Sequence, residues 1–191
     1  PFLFYDYQND AAKVGNPKLE TATIDNLDIR YEYYPRKGET VSLGGFYKLF
    51  DKPIENVVQI TTEQPQFLYA NAKNAYNYGA ELELRKSLSN SSIPFISRLS
   101  ANVNASYIFS KVDLGKVTSQ DRNRPLQGQS PYILNVGLFY ESQKELVVNF
   151  SYNYVGQRIA IAGNIQEPSV WENGRHVLDF QIGKTWKDKY E

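Results

Sequence analysis

The 191-residue chain has no cysteine, no methionine and a single histidine, His176. Without cysteine it holds no disulfide, no thiolate zinc site and no cysteine nucleophile. Basic and acidic side chains number 21 each, so there is no bulk attraction for nucleic acid and no extended run of Lys and Arg to supply a local one. No apolar run approaches the ~18 residues of a transmembrane-helix candidate, which excludes a helical membrane protein. A Gly-rich phosphate loop and zinc-ligand spacing are missing too. Position 1 is Pro, so the chain reads as a fragment or processed product, and a missing signal peptide says nothing about location.

What the chain does have is aromatic residues, 15 Tyr and 10 Phe, and a period of two. Leu99, Ala101, Val103, Ala105, Tyr107 and Phe109 alternate with Ser100, Asn102, Asn104, Ser106 and Ser110. Successive strand residues point to opposite faces, so this stretch describes a strand with one oily side and one wet side. Its length of about 11 residues is what a tilted strand needs to cross a hydrocarbon core, about twice the usual soluble strand.

The same pattern recurs along the chain. Asn26–Tyr34 sets Leu27, Ile29, Tyr31 and Tyr33 against Asp28, Arg30 and Glu32. Val41, Leu43, Gly45, Tyr47 and Leu49 follow, with Phe46 an imperfection on the polar side. Ala80, Leu82 and Leu84 alternate with Glu81, Glu83 and Arg85. Beyond the Leu99 strand, Leu134, Val136 and Leu138 oppose Asn135 and Gly137, and Val148, Phe150, Tyr152 and Tyr154 oppose Asn149, Ser151 and Asn153. Leu178, Phe180 and Ile182 alternate with Asp179 and Gln181 before Trp186 and Lys187-Asp188-Lys189. The first 20 residues read as irregular, and 51–77, 112–130 and 156–175 as long connections. The turns at 35–39, 87–94 and 141–145 are short.

Short connections alternating with long ones is the plan of outer-membrane barrels, with short periplasmic turns and longer extracellular loops. Aromatic residues near both strand ends fit two interfacial girdles: Tyr33, Tyr140 and Trp186 by short turns, Tyr47, Phe109, Tyr132 and Tyr154 by long ones. The expected fold is therefore all-β, an antiparallel transmembrane barrel segment of about seven meander strands. Leu27, Ile29, Leu43, Leu82, Val103, Val136, Val148 and Phe180 are expected to face lipid. Asp28, Arg30, Glu32, Glu81, Glu83, Asn102, Asn104, Asn135 and Asn149 are expected to face the lumen. A soluble carbohydrate-binding or adhesive β-sandwich also alternates, but with shorter strands.

Catalytic readings are weak. His176 and Asp179 stand three apart on a strand, on opposite faces, and cannot form a base–orienter couple. Glu81 with Glu83, and Asp28 with Arg30 and Glu32, read as a mixed-charge wall rather than as paired catalytic carboxylates or metal ligands. The sequons at Asn90, Asn104 and Asn149 read as chance matches. No catalytic, cofactor or metal site is assigned. Tyr76, Tyr78, Arg122, Arg124 and Trp171, in or beside the long connections, are candidates for touching a substrate or a surface partner.

Several motifs in order resemble the C-terminal barrel half of TonB-dependent outer-membrane receptors, in the style of the Bacteroidetes group. They are Gly15-Asn16-Pro17-Lys18-Leu19 with Ile24–Pro35, Gly38-Glu39 with Phe46-Tyr47-Lys48 and Pro53-Ile54-Glu55, and Asn77-Tyr78-Gly79-Ala80-Glu81-Leu82-Glu83. Leu126-Gln127-Gly128-Gln129-Ser130-Pro131-Tyr132, with Asn135 and Gly137, completes the set. The resemblance implies active import of a scarce nutrient (a siderophore, vitamin, glycan or peptide) across the bacterial outer membrane. It also implies a plug inside a barrel of roughly 22 strands and energy from the TonB complex through a short periplasmic segment. Residues 1–191 would then be a partial barrel, lacking the plug and the last strand or strands. Expected partners are membrane lipid, the missing strands and plug of the same chain, TonB and the transported substrate, with a surface lipoprotein left open as a cap. A passive porin-like barrel is the alternative.

Overall fold

The computed structural model describes residues 3–7, 11–60, 65–115, 124–142 and 146–185. Arg122 and the segment from Trp186 onward lie outside these residues. In chain order the strands are β1 (Leu3–Asp6), β2 (Ala11–Val14), β3 (Thr23–Tyr33), β4 (Thr40–Asp51), β5 (Ile54–Ile60), β6 (Pro65–Asn71) and β7 (Asn74–Ser87). A 3-10 turn at Ile96–Arg98 leads into β8 (Leu99–Asp113), followed by β9 (Tyr132–Glu141), β10 (Leu146–Val155), β11 (Arg158–Ile161), β12 (Val170–Glu172) and β13 (Arg175–Lys184).

Seven of these strands form one sheet in the order β13-β10-β9-β8-β7-β4-β3, each antiparallel to its neighbour. Strands β7 and β8, of 14 and 15 residues, are the longest. Directly opposed residues in antiparallel strands share a face, so the register shows which side chains stand together. One row crosses all seven strands as Tyr33, Val41, Leu84, Val103, Val136, Tyr152 and Leu178. The neighbouring row, on the opposite face, runs Glu32, Ser42, Glu83, Asn104, Asn135, Asn153 and Val177.

The apolar face is uncovered. Leu27 is 71% exposed, Ile29 77% and Phe180 66%, values that no packed second sheet would permit. The residues in the main hydrophobic core, Ala72, Ala75, Val112 and Leu126, with Phe50 and Leu114 packed against them, sit elsewhere. Phe50, Ala75 and Val112 are register partners at the long-loop end of the polar face. The long connections fold over that end.

These connections contain more structure than alternation predicts. The opening residues, expected to be irregular, form the β1–β2 hairpin, and β2 runs parallel to β6. Strands β5 and β6 make a hairpin within the β4–β7 connection, and the four build a sheet in the order β1-β2-β6-β5. The β10–β13 connection holds the β11–β12 hairpin. Such strands are short, and several of their residues pack on both sides, so no period of two marks them. The turn expected at 87–94 continues to Arg98.

Phe46, out of place by pattern, is explained by its neighbour. It pairs with Gly79, and a Cβ built on Gly79 would stand 2.7 Å from the Phe46 ring and collide with the Tyr107 carbonyl oxygen. The ring covers a bare stretch of backbone, as aromatic residues do for glycine in sheets. Gly79→Ala should therefore cost about 1–3 kcal/mol through overpacking. Gly45→Ala meets nothing nearer than 3.6 Å and should be neutral or mildly stabilising. Denaturant unfolding of the intact protein measures both.

Candidate functional wall and loop roof

The polar face is built by side chains that satisfy one another across strands. Arg30 Nε donates to Glu32 Oε1 at 2.6 Å, and its Nη2 donates to Glu83 Oε2 at 2.8 Å on β7. The Tyr34 hydroxyl donates to the other oxygen of Glu32. Near the short turns a further pair stands on the other side of the sheet: Lys86, opposite Ala101 on the apolar face, reaches with its Nζ to the almost fully buried Glu39 at 3.0 Å. Across β9 and β10 the groups become neutral amides: Asn153 Nδ2 donates to Asn135 Oδ1 at 2.7 Å.

The residues expected to line a lumen thus stand on one face. Asp28 pairs with Phe46, and Glu81 lies between Gly44 and Ser106. Glu32, Glu83, Asn104 and Asn135 share the polar row, while Asn102 stands between Arg85 and Gly137. Asn149 lies between Phe139 and Gln181. Those expected to face lipid stand together on the other side: Leu27 and Ile29 on β3, Leu43 opposite Leu82, Val103 opposite Val136, with Val148 on β10 and Phe180 on β13. The side-chain carbonyl oxygens of Asn102 and Asn149 are buried without a partner among the described residues.

Aromatic residues on the apolar face cluster toward the strand ends. Tyr47, Tyr78 and Phe109 form one cross-strand row at the long-loop end, with the Tyr78 and Phe109 centroids 5.1 Å apart. Tyr76 stacks on Tyr78, so these two substrate-contact candidates stand on the apolar face, away from the wall. His176, also on this face, packs 4.6 Å from Tyr154, and its Nδ1 lies 2.8 Å from the Tyr152 hydroxyl. Asp179 is on the opposite face. At the short-turn end Phe95 stacks on Tyr140 at 4.8 Å.

The loop roof is locked by a pair that sequence reasoning missed. Arg124 donates to both oxygens of Glu55, at 2.9 and 2.7 Å, and both side chains are only 3% exposed. Arg124 is therefore engaged inside the roof, where its guanidinium cannot meet a passing substrate. Gln127 extends the lock: its backbone N–H donates to Glu55 Oε1 at 3.2 Å, its Oε1 accepts from Asn56 N at 2.6 Å, and its Nε2 donates to Ala160 O at 2.7 Å. Gly128 N donates to Ile159 O at 2.9 Å, and Asn164 Nδ2 to Val58 O at 2.5 Å. Three connections distant in sequence become one body. The only hint in the sequence was Glu55 and Gln127 inside separate motifs, with nothing to pair them.

Exposed ion pairs trim the roof. The Arg158 guanidinium, 2.7 Å from Glu172, holds the Glu172 carboxyl below the usual carboxylate range. The Asp6 carboxylate raises the Lys13 ammonium above its ordinary value. Trp171, on β12, is 43% exposed. No group of three or more metal-binding side chains stands together among the described residues.

A family model described as TonB dependent receptor-like, beta-barrel, matches residues 1–191. No curated protein matches the chain. Among solved structures it is similar to the siderophore receptor PirA from Pseudomonas aeruginosa, at 18% identity and a TM-score of 0.58 over 97% of this chain and 28% of that one. It is similar to the copper transporter OprC at 16% identity and a TM-score of 0.65, covering 89% and 24%. The FrpB iron transporter from Neisseria meningitidis gives 16% identity and a TM-score of 0.57, covering 91% and 25%. At such identities the likeness is one of fold. The chain spans about a quarter of the length of these structures.

The buried lock makes its own prediction. Arg124→Met leaves Glu55 buried and short of its cation, which should destabilise the roof by about 3–5 kcal/mol. Replacing both partners by apolar residues, Glu55→Leu with Arg124→Met, should recover a large part of that. Hydrogen exchange of the intact protein should show faster exchange over 54–60 and 126–130, with β8 to β10 still protected.

Proposed function

The chain belongs to the TonB-dependent receptor-like β-barrel family, and on that premise we propose that it forms part of the barrel wall of an outer-membrane receptor importing a scarce nutrient. The observation that carries this reading is the two-faced sheet. Seven long antiparallel strands leave one face of large apolar side chains uncovered and fill the other with ion pairs and amides. A strand wall separating hydrocarbon from a wet interior needs that division, and it needs closure, because an open edge in lipid leaves N–H and C=O groups unpaired at several kcal/mol each. The outer strands β3 and β13 are accordingly completed by further strands of the same longer protein.

In this reading Leu27, Ile29, Leu43, Leu82, Val103, Val136, Val148 and Phe180 meet lipid. Asp28, Arg30, Glu32, Glu81, Glu83 and the asparagines 102, 104, 135 and 149 line the lumen around a plug. The locked roof stands at the extracellular mouth, where substrate is captured before the plug rearranges under force from TonB. The siderophore receptor and the iron and copper transporters of like fold support a scarce nutrient as cargo, an analogy at the level of fold. The family is one of receptors and transporters, and the wall's carboxylates are read as structural partners in mixed-charge pairs, not as catalysts. A surface lipoprotein over the roof remains a further partner to seek.

Two measurements test this. Val103→Arg in the full-length protein should lose about 2–4 kcal/mol in a lipid-vesicle folding assay, and Asn104→Arg far less. Equal losses would sink the facing proposed for the two sides. Reconstituted in liposomes, the full-length protein should admit small sugars poorly by swelling assay, while uptake in cells should stop when the proton gradient is collapsed. Free swelling would instead make it a passive pore.

A further inference from the structure

Strand β8 outruns its neighbour. Tyr107 pairs with Tyr132, the first residue of β9, yet β8 continues to Asp113. Beyond that point its edge is closed by irregular chain. Ile108 N donates to Pro131 O at 2.9 Å, Leu126 N to Ser110 Oγ at 3.1 Å, and Val112 N to Arg124 O at 3.1 Å. Pro125 and Pro131 have no N–H to give back, so this closure is sparser than a strand ladder. It leaves a crevice of about 380 Å³ bounded by Tyr107, Phe109, Lys111, Pro131, Gln157 and Trp171.

The three β8 residues alternate with Ile108 and Ser110, so they belong to the apolar face. Along β8, from Leu99 upward, Lys111 is the first charged side chain on that face. It stands one step past Phe109 and opposite Tyr76, at the upper margin of the aromatic row. The nearby acid Asp113 is bonded by Lys73 at 3.1 Å, and the Lys111 charge acts on it from farther off, without a direct ion pair. Among the described residues no hydrogen bond or ion pair occupies Lys111, Gln157 or the Trp171 indole N–H. Lys111, Gln157 and Trp171, each with a side-chain donor, thus line, together with Ser110 and Gln129, a space that Tyr107 and Phe109 join to the oily face.

We infer that this crevice holds the phosphomonoester headgroup of a membrane lipid, with its acyl chains lying down over Tyr107 and Phe109. The inference rests on the reading that the apolar face meets lipid. A phosphate supplies the acceptor oxygens and negative charge that the three donors want, and the acyl chains continue the surface that the rings begin. Interfacial Trp, Tyr and Lys residues anchor in the same way at headgroup depth.

The test is native mass spectrometry of the full-length protein in detergent, titrated with dioleoyl phosphatidic acid or dioleoyl phosphatidylcholine. One phosphatidic acid molecule should be retained in preference to phosphatidylcholine. Lys111→Gln should weaken that retention about tenfold or more, and Trp171→Phe, which keeps a ring and loses the N–H, should weaken it less. Lys37→Gln, at the far short turn, should leave it unchanged. Equal retention of the two lipids, an unchanged folded Lys111→Gln protein, or displacement by millimolar inorganic phosphate in place of lipid would overturn the site. A protein that stays dispersed without any detergent would overturn the membrane reading beneath it, a result separable from loss of headgroup preference alone.

Discussion

A single sheet that keeps water on one side and oil on the other must satisfy every backbone N–H and C=O sideways. Nothing above or below the strands can do it on the oily side. The seven-stranded meander meets that constraint by long, continuously registered ladders, from 9 paired positions between β8 and β9 to 14 between β7 and β8. Once the ladders are fixed, the period of two assigns every side chain to a face, and a slip of one residue would exchange the faces wholesale. The rest of the molecule follows. The core cannot lie on the oily face, so it lies under the loops, and the mid-strand charges pair across the polar side, while Lys86, Lys111 and Lys184 on the oily face stand near strand ends.

Legibility tracks this constraint. β8 could be read directly because each of its faces meets one kind of surroundings along most of its length, which leaves an unbroken alternation from Leu99 to Tyr107, with Ile108 the first apolar residue on the polar side. β3 and β4 were readable for the same reason, and the apparent exception at Phe46 proved to be a cover for Gly79. The hairpins β1–β2, β5–β6 and β11–β12 were not readable. They are short, they lie among other loops, and their residues are chosen by contacts to chain far away. Ile159, on β11, is fully buried because of the roof around it, not because of its own neighbours in sequence.

The same reasoning explains why the most buried charges were missed. Charges on the wall announce themselves by their place in the alternation, as Arg30, Glu32 and Glu83 do. Glu55 and Arg124 are 69 residues apart, each embedded in a stretch that resembles ordinary polar loop. Burying such a pair is unfavourable unless its geometry is good and its spare lone pairs are used. Here the fork is bidentate and Gln127 takes a further Glu55 lone pair. The Arg124 Nε has no partner among the described residues, so the lock is better understood as specifying one arrangement of loops than as a large source of stability. That is the best attested use of buried ion pairs.

The two ends of the wall are therefore built on different principles. At the short-turn end the strands are joined by brief local turns, and the side chains that cap them, such as Phe95 on Tyr140, come from those turns. At the long-loop end the closing contacts come from segments far apart in the chain, and hydrophobic burial, a buried ion pair and backbone bonds all coincide there. Under the proposed function this end is a receptor mouth that has to present a defined surface to a rare ligand, and loops tied only to their own strands would lose conformational entropy at each capture. Loops already tied to one another through Glu55, Arg124 and Gln127 have lost it during folding. Preorganisation of the loop roof is thus a direct consequence of where this sequence puts its only deeply buried guanidinium–carboxylate pair among the described residues.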